Sequence, residues 1–128
     1  MRFEQLDVWK RACRLSCDVY KELKNCRDYG LKDQMTRAAV SIPSNIAEGE
    51  ERESDAESAR FLYFAKGSSG ELITQIYIAI EIGVIDKQHG MTLIKETKEI
   101  AAMIASLIKI RKGSVREELA EYKIEPRT

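Results

Sequence analysis

Six carboxylates crowd into one short stretch of this 128-residue sequence, and they are its clearest candidates for metal chemistry. Glu48 and Glu51 are three residues apart, so adjacent turns of one helix could present both to a Mg²⁺ ion. A magnesium site needs more carboxylates in octahedral geometry, whereas most of this cluster falls at a helix junction, where the helix dipole favours acids anyway. A Mg²⁺-dependent nucleotide pyrophosphatase is therefore the last of three hypotheses. The cluster comprises Glu48, Glu50, Glu51, Glu53, Asp55 and Glu57.

Cysteine and histidine are too scarce to build a second kind of site. Cys13 and Cys17 lie one helical turn apart, Cys26 follows at irregular spacing, and His89 is the one histidine. Because a zinc site needs about four ligands, we expect free thiols in a reducing compartment and no metal or cofactor. The segment GSSGEL from Gly67 lacks the phosphate-loop pattern. Its small residues indicate either close approach of two helices or a break in one.

Basic residues offer a third chemistry, the binding of phosphates. The 21 Lys and Arg residues are cancelled by 21 Asp and Glu, so the basic excess typical of nucleic-acid-binding proteins is missing. A local patch is still present at the predicted end of the last helix, where cations also suit the helix dipole. A patch of this kind could hold phosphates, and RNA binding is therefore the second hypothesis. The patch comprises Lys109, Arg111, Lys112 and Arg116.

Four amphipathic helices must position these groups, because apolar residues recur at spacings of three and four throughout the chain. No strand is predicted, and the short connections favour an all-α, antiparallel up-down-up-down four-helix bundle over residues 1–113. Pro43 is expected to kink helix 2, since the apolar period resumes in phase after it. Residues 114–128 form a charged tail. The predicted helices run from about Leu6 to Lys24, Leu31 to Gly49, Ser54 to Gly83 and Asp86 to Gly113.

Local signals mark several of these helix ends. Ser54 and Glu57 have the spacing of a capping box, in which the serine hydroxyl accepts from the backbone N–H three residues on. Gly83 suits the left-handed position after a helix. Asp86 is a good N-cap for the last helix, and Gly113 is expected to close it.

Helices 2 and 3 carry side chains of interest outside the apolar stripes that one bundle core requires. Short polar side chains form a stripe on helix 2, beside its apolar stripe, and helix 3 carries a second apolar set, so we predict a subunit interface. The alternatives are a hydrogen-bond network within one bundle and ordinary scattered hydrophobics. The predicted interface comprises Gln34, Arg37, Ser41, Asn45, Glu48, Phe64, Ile78 and Ile82.

The chain begins with charged residues, and charges interrupt every apolar run, so we expect neither a signal peptide nor a membrane span. The 44% hydrophobic and 33% charged composition is typical of a globular domain. We accordingly expect a cytoplasmic protein.

Three segments together resemble one known family. They are LDVWKRA after Phe3, QMTRAAVSIPSNIAEG from Gln34 to Gly49, and FLYFAKGSSGEL from Phe61 to Leu72. They resemble the four-helix-bundle family named for proteins encoded in intervening sequences of 23S rRNA genes. The resemblance implies a left-handed antiparallel bundle that assembles as a homopentameric ring and has no established enzymatic activity. A related branch, the accessory variability protein of diversity-generating retroelements, works with a reverse transcriptase and RNA.

The first hypothesis is therefore a non-enzymatic homo-oligomeric scaffold, a pentameric ring of uncharacterised role that holds a partner protein or RNA. Under this hypothesis we expect no catalytic residues, no cofactor and no metal. The alternatives are the RNA-binding accessory protein and the Mg²⁺-dependent nucleotide pyrophosphatase.

Overall fold

A computed structural model describes residues 2–124 of the chain, with side chains as far as residue 113. A 3-10 turn, Phe3–Gln5, precedes α1 (Asp7–Glu22), α2 (Tyr29–Glu51), α3 (Asp55–Glu81) and α4 (Lys87–Ile124). No strand occurs within residues 2–124, so the predicted all-α fold with four helices is confirmed. The packing of the helices is consistent with a bundle.

The predicted capping signals are present as hydrogen bonds. The Ser54 hydroxyl accepts from the Glu57 N–H at 3.1 Å, and the Asp86 carboxylate accepts from the His89 N–H at 2.9 Å. Gly83 has φ +80°, a conformation that L side chains rarely adopt and that ends α3. These ends are set by groups within four residues of each other, and this is why the sequence alone could predict them.

Proline or glycine lies inside three of the helices. Pro43 lies buried inside α2 without ending it, and the predicted kink stays a prediction. Gly67 and Gly70 lie inside an unbroken α3, so the alternative of a break there is wrong. The predicted end of the last helix at Gly113 is also wrong, because α4 continues to Ile124. One glycine costs a helix only about 1 kcal/mol relative to alanine, which good helix formers on both sides can offset.

The core consists of aliphatic side chains from all four helices. Leu15, Ile42, Leu62 and Ile104 are examples that are almost completely removed from solvent. Each such residue stabilises the fold by roughly 1.5–3 kcal/mol through apolar burial. The apolar stripes read from the sequence therefore do meet in one core.

The contacts between α2 and α3 run in opposite directions along the two helices. Along α2, Ser41 lies beside Ser68 of α3. Further along, a side-chain carbon added at Gly49 would lie 3.1 Å from the carbonyl oxygen of Ser58. Contact positions thus rise along α2 as they fall along α3, which is consistent with the predicted up-down order.

Candidate functional surfaces

The polar stripe of α2 is tied to α3 by a small hydrogen-bond network. The hydroxyl oxygens of Ser41 and Ser68 lie 2.8 Å apart. The Asn45 side-chain amide donates to the Ser41 carbonyl and hydroxyl oxygens, both at 2.9 Å. Ser41 and Asn45 are partly buried. Two of the predicted interface residues therefore belong to a network within one bundle, and Ser68, which the sequence did not single out, completes it.

A second set of contacts joins the end of this stripe to the aromatic residues of α3. Glu48 accepts from Arg52 at 2.7 Å, and the Arg52 guanidinium lies 4.5 Å from the centre of the Phe61 ring. Phe61 and Phe64 form an edge-to-face pair with ring centroids 5.6 Å apart. Arg60 lies 5.5 Å from the Phe64 ring. These contacts connect the two predicted parts of the interface into one surface, which we call the α2–α3 face.

Apolar side chains on this face are open to solvent. Phe64, Ile78 and Ile82 are 46%, 48% and 55% exposed, and their spacing places them within roughly 40° of the circumference of α3. Gln34 and Arg37 are exposed on α2. The α2–α3 face thus presents a line of large apolar groups bordered by polar ones.

Four of the six carboxylates in the acidic cluster lie against arginines. The Glu50 side chain is only 8% exposed and accepts from Arg111 Nη2 at 2.7 Å, while Arg111 Nη1 lies 3.7 Å from the Asp55 carboxylate. Glu48 pairs with Arg52, as above, and Glu57 lies 3.5 Å from Arg60. Among the residues that the structure describes, no three His, Cys, Asp or Glu side chains are placed to hold a metal ion. Glu51 and Glu53 are exposed.

These pairings also divide the predicted basic patch. Arg111 is committed to Glu50 and Asp55, at the junction of α2 with α3. Lys109 remains exposed, whereas the Lys112 ammonium donates to the Tyr63 hydroxyl at 2.9 Å. The side chain of Arg116 lies outside the described residues. Of the predicted patch, two lysines therefore face solvent together.

Those two lysines line a groove between α3 and α4. Its volume is about 520 Å³, and Lys66 of α3 lines it opposite Lys109. The Lys112 ammonium lies 5.3 Å from the centre of the half-exposed Tyr63 ring. Lys66 and Tyr63 were missed from the sequence because they lie on a different helix from the patch. We call this site the basic groove; its remaining lining residues are Ala105, Ile108 and Gly113.

The cysteines are free thiols. Burial raises the pKa of Cys13, and the neighbouring Cys17 raises it further, so the Cys13 thiol stays protonated and is a poor nucleophile. His89 contacts two carboxylates. Its Nδ1 lies 2.7 Å from Asp86 and 3.2 Å from Glu22, linking the start of α4 to the end of α1.

A charged cluster holds the middle of α4 to α1. Arg11 Nε donates to Glu96 at 3.0 Å, and Arg11 Nη2 donates to Glu99 at 2.6 Å. The Arg11 hydrogen bond holds the pKa of Glu96 below its usual range. Both carboxylates of this part of α4 are therefore turned towards α1.

None of the helices described is long and apolar enough to cross a membrane.

Comparison with known proteins covers most of the chain. Residues 4–106 match the family described as 23S rRNA-intervening sequence protein. A solved structure of similar fold is that of a protein with unknown function from the S23 ribosomal protein family of Bacteroides thetaiotaomicron VPI-5482. It is 23% identical, the match covers 80% of this chain and 98% of that one, and the TM-score is 0.76. No curated protein matches the chain.

Proposed function

This chain belongs to the 23S rRNA-intervening sequence protein family. Because the resemblance to that family implies a ring, we propose that the protein is a non-enzymatic homo-oligomeric scaffold. The ring is pentameric and is assembled through the α2–α3 face. One observation carries the proposal: Phe64, Ile78 and Ile82 stand about half exposed in a single line on α3. Large apolar groups in such an arrangement mark an interaction surface rather than scattered surface hydrophobics.

The gain from covering this line supports association. Burying the exposed half of each of these three side chains contributes about 1 kcal/mol, or roughly 3 kcal/mol for each subunit contact. A five-membered ring contains five such contacts, and each subunit presents two different faces to its neighbours. The remaining stabilisation comes from the second face and from the polar residues around the line.

The polar network beside the line is suited to burial. Ser41, Ser68 and Asn45 already satisfy one another within the bundle. Covering a polar group that has a hydrogen-bond partner costs far less than covering an orphaned one. The network within one bundle and a subunit interface are therefore compatible uses of the same residues.

The test is the mass of the assembly in solution. We expect light scattering coupled to size-exclusion chromatography to give about 73 kDa for the wild type, five times the 14.6 kDa chain. The combined change Ile78→Ser and Ile82→Ser should give monomers with unchanged helix content. The matched control, Tyr20→Ser with Tyr29→Ser, removes two exposed aromatics elsewhere and should leave the ring intact. A monomeric wild type, or a ring that survives the isoleucine changes, would refute the proposal.

A second candidate role is that of an RNA-binding accessory protein, as in the accessory variability branch related to the family that the sequence resembles. The observation that favours it is the solvent-facing pair Lys109 and Lys112, with Lys66 across the groove. The pyrophosphatase hypothesis is the least favoured of the three, because Glu50 and Asp55 are bound to Arg111. Free thiols suit the reducing cytoplasm, where we propose that the protein works.

A further inference from the structure

The zero net charge of the chain conceals an uneven distribution on α4. Lys95, Lys98, Lys109 and Lys112 fall within roughly 100° of its circumference. Within the described residues, none of the four forms an ion pair with a carboxylate. Glu96 and Glu99 instead bind Arg11 of α1, as described above. Between Lys95 and Lys112, one side of α4 therefore carries basic residues and no acidic ones.

This basic side forms one wall of the groove. Among the side chains that the structure describes, no carboxylate lines the 520 Å³ cavity, and neither Lys66 nor Lys109 forms an ion pair. The basic side continues along α4 into a second hollow of about 390 Å³, lined by Lys95 and Lys98. The carboxylate that lines this hollow belongs to Glu99, which accepts from Arg11. A negative ligand in the groove would thus meet ammonium groups that no described carboxylate neutralises.

Two glycines of α3 follow Lys66 without lining the groove. A side-chain carbon added at Gly67 or Gly70 would meet nothing within 4 Å. Glycine is less favourable than alanine inside a helix, and packing against the described residues requires neither glycine. They leave the backbone of α3 exposed within one helical turn of Lys66.

An aromatic ring accompanies the charges. Tyr63 is half exposed at one end of the groove, with Lys112 against its ring. Tyr77 is half exposed further along α3, about 21 Å away at 1.5 Å per residue. Lysines that track a phosphate chain, combined with aromatic faces that stack on bases, are typical of surfaces that bind single-stranded nucleic acid.

From these observations we propose that the basic groove binds a single-stranded nucleic acid, with Lys66, Lys109 and Lys112 on its phosphates and Tyr63 stacked on a base. The lysine line from Lys95 to Lys112 spans about 26 Å, which suits an extended polyanion rather than one small anion. Binding is independent of base sequence, because lysines contact phosphates as point charges. The inference rests on the second role proposed above and names its site and ligand; it does not require the ring.

Fluorescence anisotropy with the full chain tests this proposal. The probe is a fluorescein-labelled uridine oligomer of about 20 nucleotides, titrated at roughly 50 to 200 mM salt. Removing two phosphate contacts with Lys66→Gln and Lys109→Gln should lower the salt slope by about 1.4 and weaken binding about 25-fold at roughly 0.1 M salt. The control, Lys10→Gln with Lys21→Gln, makes the same charge change on exposed lysines of α1 and should bind like the wild type.

Tyr63 provides an independent arm of the test. Tyr63→Leu should weaken binding about tenfold by removing the stacking face, whereas Tyr63→Phe keeps that face and should bind like the wild type. Circular dichroism confirms that each variant is folded. If the wild type binds no oligomer, both the RNA-binding role and the groove are refuted. If the wild type binds the oligomer, and the groove variant and the control variant bind it equally well, only the assignment to the groove is refuted. Tighter binding of a duplex than of the single strand overturns the single-strand assignment.

Discussion

Gly70→Ala should make this protein more stable, although glycine is the natural residue. Gly70 lies inside α3, and an added side-chain carbon would meet nothing within 4 Å. Alanine in a helix interior is more stable than glycine by about 1 kcal/mol, because an unfolded chain with alanine has less conformational freedom to lose on folding than one with glycine. The free energy of unfolding should therefore rise by about 1 kcal/mol, which corresponds to about 3–5 °C in Tm for a chain of this size.

The assay is urea denaturation followed by far-UV circular dichroism, with the midpoint rising while the slope against denaturant stays constant. Gly49→Ala is the matched control. Its added carbon would lie 3.1 Å from the Ser58 carbonyl oxygen and 3.5 Å from Phe61 Cβ, so overpacking should cancel or reverse the same propensity gain. We expect Gly70→Ala to be more stable than Gly49→Ala by at least about 1 kcal/mol.

Several protein concentrations must be compared, because subunit association adds to apparent stability. A loss of stability in Gly70→Ala that does not depend on concentration would refute the reasoning, since it would mean that the chain itself packs against this position. A loss that grows with concentration would place a neighbouring subunit over Gly70 and would likewise contradict the open surface around it.

Three further predictions concern charged and titratable groups. Arg111→Met should lower the free energy of unfolding by about 3 kcal/mol in urea titrations, because it leaves the buried Glu50 carboxylate unpaired; adding Glu50→Gln should restore much of the loss, and no recovery would argue against the pairing. Because the folded-state pKa of Glu96 is lowered, its contribution to stability is complete above the ordinary glutamate pKa and disappears as the pH falls through the lowered value; Glu96→Gln should flatten stability against pH in that acidic range, and an unchanged profile would contradict this. Burial raises the pKa of Cys13, so alkylation followed by peptide mass spectrometry should modify it several-fold more slowly than the exposed Cys17, and equal rates would be evidence against it.

Local chemistry explains what the sequence could predict. Ser54 with Glu57, Asp86 and Gly83 act within a few residues, so their spacing alone indicates where helices begin and end. Gly113 shows the limit of such signals. It is a breaker by type, yet α4 continues through it, because the propensity of one residue is weak against that of its neighbours.

Contacts between helices could not be predicted in the same way. Arg111 and Glu50 are 61 positions apart, and no spacing rule joins them before the helices are packed. For the same reason the sequence grouped Arg111 with Lys109, its neighbour on α4, rather than with the acids that neutralise it. Lys66 enters the groove only because α3 packs antiparallel to α4, with Tyr63 beside Lys112.

The lysines of α4 give a molecule of zero net charge an uneven charge distribution, because the carboxylates on the neighbouring side of this helix are paired with Arg11. A polyanion exerts little net pull on such a molecule at a distance, but at close range it favours orientations in which these lysines face it. The protein would therefore turn before it is strongly attracted, and its encounters with a polyanion would occur in the docking orientation more often than by chance. The field of such a distribution falls off faster than that of a net charge, so the alignment acts over roughly one Debye length, about 8 Å at physiological salt. A neutral chain can in this way select one docking orientation without accumulating polyanions indiscriminately over its whole surface.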